Sequence, residues 1–107
     1  MCTNQKTLHQ NQVGYITICN NCDHLHIEIG SFMAVLCKHS FEMIIKDFKK
    51  IDARKQKHKF LTPSGEKILT QLTDNTYISQ TPEDFDDTIE LFEIASHYLN
   101  ALEILKN

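Results

Sequence analysis

Cysteine and histidine crowd one stretch of this chain. Cys19-Asn20-Asn21-Cys22 is a C-x-x-C pair, and His24, His26, Cys37 and His39 follow it. Zinc takes four such ligands in a tetrahedron, at about 2.3 Å to sulfur and about 2.0–2.1 Å to nitrogen. A two-residue gap lets both sulfurs of a knuckle face one point, and a second strand end can deliver the rest. The candidate metal ligands are Cys19, Cys22, His24, His26 and Cys37, with Zn²⁺ as the expected cofactor. Two other uses of these residues stay open. One is thiol redox or sensing chemistry, although a redox C-x-x-C normally opens a helix in a βαβ unit and this one joins two strands. The other is inert: cysteines as small apolar residues and histidines on the surface. Asp23 follows the second cysteine where knuckles commonly carry glycine, and the C-terminal half supplies no matching pair.

Strands must position these groups. Tyr15–Cys19 and His24–Ile29 alternate apolar and polar residues, the period of half-buried strands. Gly30-Ser31 reads as a type II′ hairpin turn into a third strand, Phe32–Leu36. That turn pairs residue 29 with 32, 26 with 35 and 24 with 37. A tight knuckle would pair 19 with 22 and 17 with 24. Tyr15, Thr17, Cys19, Cys22, His24, His26, Val35 and Cys37 then share one face, opposite a core face of Ile16, Ile18, Leu25, Ile27, Ile29, Phe32, Ala34 and Leu36. No element is predicted ahead of Tyr15, and His9 has no neighbours to argue from.

From Lys38 the apolar spacing becomes helical, with Phe41, Ile44, Ile45, Phe48 and Ile51 on one stripe to about Ala53. Cys37 falls at the N-cap of this helix, where amide dipoles lower a thiol pKa. In the second half, Lys59–Thr62, Glu66–Leu72 and Thr76–Gln80 read as strands. Thr81 then caps a helix with Pro82 at N1 and Asp84 at N3, running to about Leu105. A shift of 44 residues lays Phe41, Ile45 and Phe48 on Phe85, Ile89 and Phe92, which suggests a duplicated strand-strand-strand-helix unit. The predicted class is α+β, an antiparallel sheet with two helices on one face. The last helix carries a second stripe, Leu91, Ile94, Tyr98, Ala101 and Leu105, which either packs on the first helix or forms a homodimer.

Composition bounds the rest. The chain has 107 residues, 41% apolar and 23% charged, enough for one domain over 1–107 with halves at 13–56 and 57–107. No apolar run is long enough to cross a membrane, and Met1–Lys6 leads into no secretory signal, so a cytoplasmic protein with reduced thiols is expected. Cys2 reads as incidental. The net charge of −3 hides a split: residues 1–59 hold nine Lys or Arg against five acids, and residues 60–107 hold two against nine. The basic run 49–59 lacks interleaved aromatics, which argues against nucleic acid as a partner and makes a solvated helix end the plainer reading. The acidic run Glu83–Glu93 suits a helix start. No phosphate loop, Ser-His-Asp set or paired-carboxylate signature is present, which points to a non-enzymatic module with protein contacts.

Ile18 to Gly30, with its C-x-x-C-x-x-x-H arrangement ahead of a strand and a helix opening near Phe41, resembles a small bacterial family of unknown function. A second unit like Thr76–Phe85 follows, and the likeness spans most of residues 13–95. The resemblance implies no activity. It favours Cys19, Cys22 and His26 over His24 as the meaningful set, and Cys37 does not clearly belong to it.

Overall fold

Among the described residues, nine elements follow one another. They are β1 (Gln5–Gln10), β2 (Gly14–Cys19), β3 (Leu25–Ile29), β4 (Phe32–Leu36), α1 (Lys38–Arg54), β5 (Lys59–Thr62), β6 (Gly65–Thr73), β7 (Thr76–Gln80) and α2 (Pro82–Lys106). This computed structural model describes residues 5–19, 22–54, 59–73 and 76–106, with the backbone alone at 48–54, 59–60, 70–73, 76 and 106. The basic run 49–59, Cys2 and the stripe positions Phe48 and Ile51 therefore lie outside the described side chains.

The class is α+β, as the patterning predicts, but the strands divide between two antiparallel sheets. One has the order β1-β2-β3-β4 and the other β5-β6-β7. After β1, the order strand-strand-strand-helix occurs twice.

β3 shows why alternation works: Leu25, Ile27 and Ile29 are buried while His26 and Glu28 are only half-buried. Gly30 has φ 59° and Ser31 is not in the left-handed region, the combination a type II′ turn demands. The β3–β4 ladder pairs Ile29 with Phe32 and His26 with Val35, as that turn dictates. The β2–β3 ladder departs from expectation. Thr17 pairs with His26 rather than with His24, and Cys19 does not pair with Cys22. The physical reason is a wider connection: Asp23 takes φ 59°, and its amide donates to the Cys19 carbonyl at 3.0 Å. A slip of two residues keeps every side chain on its expected face.

Gly14 enters this sheet at a tight spot. It pairs with Ile29, and a Cβ there would overlap the Glu28 carbonyl. β1 is a strand the patterning does not predict, because Leu8 is the sole apolar residue in Gln5–Gln10. Its pairing with β2 is interrupted between Thr7 and His9, a bulge that turns Leu8 into the core.

One core joins these layers. Ile16, Ile18, Leu25, Ile27 and Ile29 of the larger sheet meet Phe41, Ile44 and Ile45 of α1 and Phe85, Leu91, Phe92, Ala95 and Leu99 of α2. α2 packs on β1, β2, β6, β7 and α1, so it serves both sheets. Its start is capped as predicted: the Asp84 amide donates to the Thr81 hydroxyl at 3.1 Å. No described helix is long and apolar enough to cross a membrane.

Candidate functional site

The predicted Cys/His residues gather at one end of the larger sheet, along a row rather than around a point. The Cys19 amide donates to the His24 carbonyl at 2.9 Å, which extends the β2–β3 ladder by one pair. Continuing the β3–β4 register by one pair brings Cys37 level with His24. Cys19, His24 and Cys37 thus stand side by side, and Thr17, His26 and Val35 form the next row. Cys22 sits in the connection between β2 and β3.

Burial and oxidation state separate the cysteines. Cys19 is fully buried and disulfide-bonded, whereas Cys22 and Cys37 are exposed free thiols. The C-x-x-C pair is therefore not closed on itself. Adjacent strands lie about 4.8 Å apart, so Cys19 and Cys37, two strands apart, stand roughly 9.6 Å from each other along the row. A shared zinc would need their sulfurs within about 4 Å. Among the described residues, no three His, Cys, Asp or Glu side chains come together in a group that could hold a metal ion.

Cys37 sits where its thiol is activated. It precedes α1, and its carbonyl accepts the Phe41 amide at 3.1 Å. Its Sγ lies 3.3 Å from the Ser40 hydroxyl. Hydrogen bonding from the Ser40 side chain, then from the Ser40 amide, holds the thiol below its usual pKa. Ser40 is not in the cysteine pattern, so motif reading passes over it; its only signal is its place three residues after the cap.

Lys38 closes the same corner. Its Nζ lies 2.8 Å from Glu103 near the end of α2 and 4.0 Å from Asp23 in the β2–β3 connection. The Glu103 hydrogen bond, with a further attraction from Asp23, raises the Lys38 pKa. No sequence spacing announces a contact between residues so far apart. His39 and His97 are exposed. His9 does find a partner, with Nε2 at 3.5 Å from Glu90 of α2.

The second apolar stripe of α2 divides. Leu91 is fully buried in the core, while Ile94, Tyr98, Ala101 and Leu105 are exposed, Leu105 by 82%. The Lys6 ammonium stands over the Tyr98 ring, 5.4 Å from its centroid.

No curated protein and no solved structure matches this chain. A family model does, across residues 1–105; like the family the sequence resembles it is one of unknown function, and it does not speak to the C-x-x-C-x-x-x-H knuckle. With nearly the whole chain matched, the protein belongs to the family of unknown function DUF6686.

Proposed function

We propose that this chain is a non-enzymatic protein-interaction module that pairs with a second copy through α2. The observation that carries this reading is the exposed stripe Ile94, Tyr98, Ala101 and Leu105. Its spacing of four, three and four residues is the heptad seam by which helices pack on helices. An antiparallel pairing would set Ile94 against Leu105 and Tyr98 against Ala101, and the second pair sets large against small, as interdigitation favours. The seam covers about three turns, less than a standard stable interface, so the dimer depends on concentration. Sedimentation of the native chain over a range of concentrations tests it. A monomer–dimer equilibrium abolished by Ala101→Glu, with the fold intact by circular dichroism, is the expected result. A monomer at every concentration removes the reading.

A second reading rests on the row of Cys19, His24 and Cys37. Because Cys19 and Cys37 stand too far apart to share one ion, a Zn²⁺ site would draw on Cys22 with one end of the row, either Cys37 or a reduced Cys19, and on His24 or His26, after the β2–β3 connection moves. The lowered Cys37 pKa supports this, because thiolate is the form that binds metal or attacks a disulfide. Zinc per chain, measured on reduced protein, separates the two chemistries. About one ion per chain, lost in Cys22→Ser, supports a structural knuckle. Metal-free protein with fast alkylation at Cys37 supports thiol exchange.

A further inference from the structure

A cleft of about 400 Å³ opens between the turns of the larger sheet and the junction of β7 with α2. Val13, Phe32 and Ile78 line it with apolar surface; Gln80 and Asp84 also line it. Its size falls within the range of small-molecule sites.

Gln80 is only 7% exposed, and its amide orientation is fixed by a chain of hydrogen bonds. The Thr88 hydroxyl donates its single proton to the Asp84 carbonyl at 2.8 Å. It must then accept from Gln80, whose Nε2 lies 2.7 Å away. That leaves the Gln80 Oε1 as a buried acceptor with no partner among the described residues. An unpaired buried acceptor is costly, and a donor offered from the cleft would relieve it. The charge of that donor follows from the surroundings. Asp84 is the one ionisable residue among the described residues that line the cleft, and Glu83 and Asp87 lie within a turn of it. Their summed field attracts cations.

We infer that this cleft binds a small organic cation, its ammonium donating to the Gln80 Oε1 beside Asp84 and its apolar body resting on Val13, Phe32 and Ile78. Binding needs a slight movement of the groups that cover Oε1, because the Thr88 bond holds the carboxamide in place and Oε1 is closed to solvent. This site is independent of both the helix seam and the cysteine row.

The experiment is a titration of the full chain, followed by amide NMR, with three probes of one shape: benzylamine, benzamide and benzoate. Benzylamine should shift the signals of Gly30, Ser79 and the Gln80 side-chain amide, with an affinity that falls as salt is added. Benzamide should bind more weakly and without salt dependence, and benzoate should leave the spectrum unchanged. Gln80→Met should weaken benzylamine about tenfold or more. Should that buried variant fail to fold, the exposed Asp84→Asn keeps the test open, since it should weaken benzylamine and leave benzamide alone. Equal binding of benzylamine and benzoate overturns the inference. So does benzylamine binding unaffected by both substitutions, or no binding of any probe.

Discussion

The rings of Phe41 and Phe92 stack with centroids 5.5 Å apart and planes inclined by 22°, and this contact locks α1 onto α2. Both side chains are buried, so each counts fully toward the core. Phe92→Ala removes the stack and leaves a cavity in a site with little room to collapse. It should cost about 3–5 kcal/mol in urea unfolding, and Phe92→Leu clearly less.

Gly14 and Gly30 separate two reasons for glycine. At Gly30 nothing stands where a Cβ would go, but φ is 59°, so Gly30→Ala should cost only about 1–2 kcal/mol. At Gly14 a Cβ would run into the Glu28 carbonyl of the paired strand. Gly14→Ala should cost about 3 kcal/mol or more, because a central ladder has to move. Thermal melts of the two variants check the ranking, and a milder loss at Gly14 than at Gly30 would contradict it.

Cys37 should alkylate faster at neutral pH than an unstructured thiol, since a lowered pKa means more thiolate below the usual value. Ser40→Ala removes the leading cause and should shift the pH–rate curve of Cys37 upward in pH. The linkage has the same sign: folding favours the thiolate, so the stabilisation is present above the unfolded pKa and fades as pH falls through the folded one. Rate against pH, read by mass spectrometry at Cys37, decides it.

Lys38 and Glu103 are partly exposed, at 29% and 41%, so their ion pair is screened and worth about 0.5–1 kcal/mol. Lys38→Gln should lose that much at low salt and nothing measurable at high salt. A raised lysine pKa makes the contribution fully present below the unfolded value and lost as pH rises through the folded one. Urea unfolding of both proteins should therefore converge at strongly alkaline pH.

Much of this fold is legible in the residues themselves. The alternation of β3, the Gly30 turn and the Thr81-Pro82 helix start each state a local preference that the packing then agrees with. β1 is not legible, because Gln5–Gln10 is polar except at Leu8 and becomes a strand only by hydrogen bonding along β2. The β2–β3 register was hidden for a related reason. Asn and Asp tolerate turn geometries of several lengths, and the left-handed Asp23 selects the wider one. For the candidate site, patterning places Cys19, His24 and Cys37 on one face at one sheet end but sets His24 level with Thr17, and the wider connection brings Cys19 level with it instead. Patterning cannot state the distance across strands, which keeps them from meeting at a point. Lys38 with Glu103 and Gln80 with Thr88 depend on where α2 comes to rest.

The sharing of α2 between the two sheets has a kinetic and energetic consequence. Among the described residues the sheets exchange no ladder hydrogen bonds, and α2 packs against strands of both. Neither sheet can complete its core until α2 arrives, and α2 is the last of the described elements in chain order. The two strand-strand-strand-helix units therefore cannot behave as independent foldons. A lesion at Phe92 should loosen amide protection in β2 and in β6 alike, so that a molecule with two sheets unfolds in a single cooperative step.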